Sequence, residues 1–311
     1  MIRVKTPSRI HLTLIDLNGN LGRIDGGVGL ALQKPSSLIE AKFSSKTSYP
    51  KDLDYLFEML PFEEGFEVEI LKKIPSHVGL GSETQLRLGI STSLFELFEK
   101  PYSIRELAQL ARRGGTSGIG IASFEGGGFI LDGGHYFGKG KEKESYLPSR
   151  ASRAKPAPVL VRMNFPEWDV ILGIPNAKKG LSGIEEVDFF TKNCPILERD
   201  VERLSRIILM KLLPSIVQKD LREFSDAVGM IKDVGFKKLE ILNQDEVVRE
   251  LISDWEKIGF GVSMSSFGPT VFGFSEDESV TLEMIQIFEE CYEGEVIKTR
   301  ARNEGARIER V

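Results

Sequence analysis

Polar and apolar positions alternate in short runs over the first seventy residues. "IRVKTPSRIHLTLIDL", "GVGLAL", "SLIEAKFS" and "FEVEILKKI" are β-rich and broken by Gly, Pro or Ser, which predicts strands. The period then lengthens. "SETQLRLGISTSLFELFEK", from Ser82, predicts a helix, and "SIRELAQLARRG" at 103–114 a second, with apolar residues at 104, 107, 108 and 111 in the i, i+3, i+4, i+7 pattern. Arg112, Arg113 and the Gly114-Gly115 pair mark its end. In the glycine-rich stretch that follows, the apolar pieces 119–124 and 129–131 predict short strands.

"KGKEKESYLPSRASRAKPAPV", 139–159, is polar, charged and proline-containing, and predicts a linker or flap with a domain boundary near 156. The second half restarts with the strands "PVLVRM" and "WDVILGIP". Helices are expected over 196–213, 220–234, 244–258 and 277–292. "GFGVSMSSFGPTVFGF" predicts strand, turn, strand, and "EGEVIKTRAR" a closing strand with a basic tail. Helices and strands mix without strict βαβ alternation. The expected class is therefore α+β, in two domains, 1–156 and 157–311.

Composition narrows the function. A chain of 311 residues, 41% hydrophobic, is long enough for a sizeable core. A net charge of −5 gives no basic footprint, so nucleic acid is not an expected partner, and an anion must be caught by a few placed groups. Two distant cysteines, Cys194 and Cys291, and three histidines argue against a structural zinc site and suit a reducing compartment. No window approaches the roughly 18 apolar residues of a membrane span, and the N-terminus lacks a signal peptide's apolar core. A cytoplasmic, membrane-free protein is expected.

The chemistry concentrates at "IPSHVGLGSETQ", 74–85. Gly79 and Gly81 let backbone approach a ligand, and Ser82 opens a helix whose unpaired N–H groups suit a phosphate. Equally, Ser82-x-x-Gln85 is a capping box that needs no ligand. Glu83 would repel a bare phosphate, and a bridging Mg²⁺ reverses that sign, so Glu83 and Ser82 are candidate metal ligands.

"PSHVGLGS" at 75–82 resembles the glycine loop of the GHMP superfamily of small-molecule kinases, and "SMSSFGPTVFGF" at 263–274 is similar to its second, C-terminal signature. The resemblance implies two α+β domains with a ligand cleft between them. In those kinases a Ser-Gly-x-Asp element supplies the Asp that takes the acceptor's proton. Aligning Ser117-Gly118 puts Gly120 at that place, with Glu125 the nearest carboxylate. Glycine cannot accept a proton, and a general base is worth about 10²–10⁴ in rate.

"SRIHLTLIDLNGNLGRIDGGVGLAL" (8–32), "HVGLGSETQLRL", "RRGGTSGIGIASFEGGGFILDGGH" and "GLSGIEEVDFF" (180–190) resemble a non-kinase branch of that superfamily, the β-ribofuranosylaminobenzene 5′-phosphate synthases. The resemblance implies a Mg²⁺-dependent phosphoribosyl transfer from phosphoribosyl pyrophosphate to a para-substituted benzoate, 4-aminobenzoate or 4-hydroxybenzoate. CO₂ and pyrophosphate leave, on the way to tetrahydromethanopterin. It also implies a homodimer. A GHMP kinase acting on a small alcohol and a non-catalytic phosphometabolite-binding protein remain the alternatives.

On this resemblance Arg9, His11, Asp16 and Asp25 are the candidate catalytic residues. Arg9 is a clamp for oxyanions and Asp25 a ligand for ribose or Mg²⁺; a solvated strand face and a simple turn are their plainer readings. His77, Gly79, Leu80, Gly81, Ser82, Thr84, Gln85, Thr116 and Ser117 are candidate phosphate contacts. Ser182, Gly183, Ser265, Ser266 and Gly268 are expected to line the cleft from the second domain, whereas Arg112 and Arg113 read by default as a helix end.

Overall fold

The computed structural model describes residues 1–50, 64–149, 151–181 and 183–311. The alternating N-terminal segments form long strands. β1 (Ile2–Asp16) pairs antiparallel with β2 (Arg23–Phe43), and β2 also takes β3 (Phe66–Lys72), β4 (Phe129–Asp132) and β5 (His135–Tyr136). β6 (Val159–Met163) extends this sheet beside β4. The second sheet has the order β10-β7-β9-β8, from β7 (Asp169–Pro175), β8 (Phe260–Met264), β9 (Val271–Ser275) and β10 (Gly294–Arg300).

Because β6 still belongs to the first sheet, the passage between sheets falls between Met163 and Asp169, downstream of residue 156. The basic tail does more than close the chain. Its residues form β11 (Arg307–Arg310), which returns to pair with the start of β1.

Helices α1 (Ser82–Leu97), α2 (Ile104–Leu110) and α3 (Ile119–Gly126) cover one face of the first sheet. α2 starts with a true capping box, Ser103 with Glu106, which stabilises its first turn by about 1 kcal/mol. α3 corrects the strand expected at 119–124. Its apolar run is buried from Ile119 to Phe124, and such a run fits strand or helix equally by pattern. Arg162 settles its C-terminal end by donating to the carbonyls of Ala122 and Gly127, both at 2.7 Å.

The second half adds α4 (Ile184–Asn193), α5 (Glu198–Ile207), α6 (Leu213–Gln218), α7 (Leu221–Lys232), α8 (Gly235–Leu242), α9 (Glu246–Glu256) and α10 (Glu278–Cys291); α7, α9 and α10 pack on the second sheet, whereas α5 and α8 lie against β1. A π-helical turn at Ile208–Leu212 joins α5 to α6, so the single helix expected at 196–213 is compound. α4 and α8 were not expected.

One apolar core runs between the sheets. Ile10, Leu12, Val28 and Leu30 of the first pack in the same cluster as Val170, Leu172, Phe272 and Phe274 of the second. Each such side chain contributes about 1.5–3 kcal/mol on burial. The two halves therefore share one core beneath any cleft between them. Among the described residues, no helix is long and apolar enough to cross a membrane.

Candidate active site

The two glycine-rich motifs, nearly two hundred residues apart, meet. Gly79 lies so close to the turn between β8 and β9 that a Cβ on it would sit 2.3 Å from the carbonyl oxygen of Ser265. Ser265 Oγ donates to the carbonyl of Gly79 at 2.7 Å and accepts the N–H of His11 at 3.0 Å. The N–H of Ser266 donates to the carbonyl of His11 at 3.0 Å, and Thr270 donates from its N–H and its hydroxyl to the carbonyl of Val78. The loop that would cradle a phosphate is thus held from below by backbone of the second half.

Above it opens a cleft of about 810 Å³. Its lining includes Arg9, Lys73, His77, Gly79, Gly81, Ser82, Glu83, Arg87, Arg112 and Arg113, with Leu181 from the second half. Among the described residues, five cationic side chains face one carboxylate. Arg9 reaches it from β1, its side chain against Gly81 and its Nη1 donating to the carbonyl of Gly79 at 2.5 Å. Burial first, then the neighbouring Arg113, push Arg9 down to about 10, with Glu240 opposing. It remains charged at neutral pH, and an anion in the cleft would offset both causes by favouring the charged form.

Glu83 is held by Arg87 at 3.0 Å and Arg113 at 3.7 Å, and Arg113 Nε also donates to Thr84 Oγ1 at 2.9 Å. This pairing bears on magnesium. Among the described residues no group of three or more His, Cys, Asp or Glu is arranged to hold a metal ion, and the one acidic residue of the lining already serves two arginines. The donor set does not fit a metal held by the protein alone.

Gly81 is the N-cap of α1, at φ 77, and no side chain caps the helix. The capping box at Ser82–Gln85 is therefore absent. Gln85 is buried and donates instead to the carbonyl of Gly120 at 2.7 Å, while Ser82 faces the cleft at the open helix start. Of the expected phosphate contacts, His77, Gly79, Gly81 and Ser82 come together here. Leu80 and Gln85 belong to the interior, and Thr84 commits its hydroxyl to Arg113.

Arg112 and Arg113 are more than a helix end, since α2 stops at Leu110 and the chain turns back across the cleft. Arg87 and Lys73 were missed. Arg87 carried a readable signal, its i, i+4 spacing from Glu83.

A second polar cluster lies behind the loop. His11 Nε2 is 3.1 Å from Ser117 Oγ, and its Nδ1 is buried without a hydrogen-bond partner among the described residues. Burial, Arg9 and Lys237 hold His11 well below the usual histidine range, so it is neutral at pH 7.

Asp25, expected to meet ribose or metal, is fully enclosed. Its carboxylate accepts from Lys143 Nζ at 2.9 and 3.1 Å and pairs with His135 Nδ1 at 2.7 Å. Lys143 Nζ lies 3.3 Å from Thr116 Oγ1, whose hydroxyl donates to the carbonyl of Leu147 at 2.6 Å. Asp25 and Thr116 therefore pin the 139–159 segment, and neither keeps a group free for a ligand. Asp16 accepts the N–H groups of Asn18 and Gly19 and caps the β1–β2 turn.

Ser265 and Ser266 brace the loop, and Gly268, at φ 68, shapes their turn. Gly183 opens α4 at φ 62, and Ser182 lies outside the described residues.

Asp132 is also buried. It accepts the N–H groups of Gly118 at 2.8 Å and Gly134 at 3.0 Å. Burial dominates, and its pKa rises from 3.8 to about 6. The folded chain therefore holds this proton more tightly than the unfolded chain, and stability falls as pH rises from about 4 to about 6. The fall is at most about 3 kcal/mol. Denaturant titrations across pH 4–7 are expected to show a flatter slope for Asp132→Asn than for the wild type; equal slopes would refute the assignment.

Residues 49–128 match the profile described as GHMP kinases N terminal domain, and 212–293 that of GHMP kinases C terminal. Beta-ribofuranosylphenol 5′-phosphate synthase of Archaeoglobus fulgidus is 44% identical over 321 aligned positions, covering 99% of this chain and 100% of that protein. The chain belongs to this family.

The β-ribofuranosylphenol 5′-phosphate synthase of Methanocaldococcus jannaschii agrees, at 40% identity over 98% of this chain and 99% of that one. Among solved structures, Streptococcus pneumoniae phosphomevalonate kinase superposes with a TM-score of 0.71 at 14% identity, covering 96% of this chain and 99% of that one. Methanococcus jannaschii mevalonate kinase gives 0.66 at 16%, over 97% and 98%. These two establish the GHMP fold alone. Membership of the synthase family rests on the sequence relatives.

Proposed function

We propose that the chain transfers the 5-phosphoribosyl group of phosphoribosyl pyrophosphate to a para-substituted benzoate, with loss of CO₂ and pyrophosphate. 4-Hydroxybenzoate is preferred to 4-aminobenzoate because the relatives are named for a phenol product. The observation that carries the reading is the cation-lined cleft over the glycine loop, in a protein whose α3 offers no base.

In the proposed step the bond from ribose C1 to the diphosphate oxygen breaks, and its electron pair leaves with the diphosphate. The ring carbon bearing the carboxylate bonds to C1. The carboxyl group then departs as CO₂, and its bonding pair restores the aromatic ring. No net proton is gained or lost.

The protein's task is to receive the growing negative charge of the leaving group. The helix start at Ser82, Arg9 beneath the loop, and Arg87, Arg112 and Arg113 at the rim supply that field in a partly desolvated cleft. Magnesium, in this proposal, enters with the diphosphate, and none of these roles depends on it. A reducing, cytoplasmic setting is proposed alongside, on the free thiols of Cys194 and Cys291.

The kinase alternative loses its base. A Cβ at Gly120 would meet Thr84 at 3.2 Å, and Glu125 pairs with Arg162 at 3.1 Å. Glu125 borders a different groove, of about 760 Å³, lined by Glu96, Glu99 and Arg310 among others.

The deciding assay supplies Mg²⁺, phosphoribosyl pyrophosphate and carboxyl-labelled 4-hydroxybenzoate, and counts released CO₂. Release that requires both substrates is expected. ATP consumption against a small alcohol without CO₂ would reverse the assignment. A rise in Tm with phosphoribosyl pyrophosphate and no turnover would leave a binding protein.

A further inference from the structure

Behind the turn that braces the glycine loop lies a buried ion pair that the proposed reaction does not use. Lys237 and Glu240 of α8 sit 2.5 Å apart with side-chain exposures of 0% and 3%. Burial pushes Lys237 down and Glu240 up, each toward its neutral form, and their mutual contact opposes both shifts. A buried pair of this kind is often no more stable than apolar residues of the same size, so its presence calls for a local reason.

The reason is visible in what the ammonium holds. Besides Glu240, Lys237 Nζ donates to the main-chain carbonyls of Met264 and Ser266, each at 3.2 Å. Two carbonyls and the carboxylate of Glu240 thus surround the ammonium. Both carbonyls flank Ser265, whose hydroxyl holds Gly79 and His11. Arg9, which donates to the same Gly79 carbonyl, lies within electrostatic range of both Lys237 and Glu240.

We infer that Lys237 and Glu240 are positioning residues for anion binding: Lys237 fixes the turn that sets Gly79, and Glu240 balances Lys237 so that Arg9 stays directed at the loop. The pair acts from the second half of the chain on a ligand held by the first. The kinetic arm of the test rests on the phosphoribosyl transfer reading, whereas the binding arm needs only inorganic diphosphate.

The test compares the wild type with Lys237→Met/Glu240→Leu, which strands no charge, with Ser265→Ala, and with the combination. Diphosphate affinity is read by calorimetry on the full chain. The apolar pair and Ser265→Ala are each expected to weaken diphosphate by about tenfold. The combination is expected to lose about tenfold rather than about a hundredfold, because both act through one turn.

In turnover, KM for phosphoribosyl pyrophosphate is expected to rise while KM for the benzoate stays unchanged. Wild-type diphosphate affinity in the folded apolar pair, full additivity in the combination, or an equal rise in both KM values would overturn the inference. If the apolar pair does not fold, Lys237→Gln, which keeps a donor without its charge, is read against the same outcomes. A wild type that binds no diphosphate removes the cleft reading and the inference together. One that binds diphosphate but transfers nothing removes only the proposed reaction.

Discussion

Arg9→Met is expected to lower kcat/KM for phosphoribosyl transfer by about 10²–10³, the loss usual when one preorganised donor to a developing anion is removed. Arg9 is suited to so large a share because it lies under the loop rather than at its rim. Its guanidinium contacts Gly81 and Gly79, where a leaving diphosphate would rest on the start of α1. In the free protein this position is unfavourable, since burial and Arg113 both push the guanidinium toward neutrality.

Removing the charge is therefore expected to leave the unliganded Tm unchanged or slightly raised, while shrinking the rise in Tm that diphosphate produces. Gly79 keeps Ser265 Oγ as a partner for its carbonyl, so the loop is not orphaned by the substitution. Arg9→Lys should recover only part of the activity, because a point charge cannot replace a planar fork. Steady-state kinetics and thermal melts with and without diphosphate check both halves. A kcat/KM within threefold of the wild type would remove Arg9 from the site.

What the chain disclosed about itself follows the range of the interaction involved. Strand alternation, the helix after the glycine loop and the strand-turn-strand at 260–275 are local, and they stand where the pattern put them. α3 was misread because an apolar run buried on every side has no period to read.

Asp25 was misread for a different reason. "RIDGG" reads as a turn or as a carboxylate presented to ribose or Mg²⁺, yet its partners Lys143 and His135 arrive from more than a hundred residues away. Lys143 sits in a segment whose composition suggests a loose linker, and only the fold shows one buried lysine pinning it. The Ser82–Gln85 box failed because Gly81 adopts a left-handed conformation that redirects the first turn, and Gln85 then finds Gly120. Arg9 is legible as an oxyanion clamp, but its grouping with Lys73, Arg87, Arg112 and Arg113 is not, because they come from β1, the segment after β3, α1 and the turn after α2, which no single window spans.

Gly79→Ala is expected to be severely damaging for a single added methyl, costing about 3–5 kcal/mol of stability. Two independent effects add. Gly79 has φ 85, a left-handed conformation that costs an alanine about 1–2 kcal/mol. Its new Cβ would also lie 2.3 Å from the Ser265 carbonyl oxygen and 3.4 Å from that of Gly268, and both are backbone atoms with no rotamer to change. The loop must therefore lift off the turn, which breaks the Ser265 Oγ bond to Gly79 and loosens those from Thr270 to Val78.

Gly22→Ala separates the two effects. Gly22 has φ 74 but nothing within 4 Å of its would-be Cβ, so it should show the conformational cost alone. Displacing the loop by even about 1 Å should also lower kcat/KM by about 10² in Gly79→Ala. Gly22→Ala should remain close to wild-type activity. Urea unfolding and kcat/KM on the two variants side by side give the comparison. Equal losses of stability would mean that the contact between the glycine motifs carries no energy, and that the loop is set by its own backbone rather than by the second half of the chain.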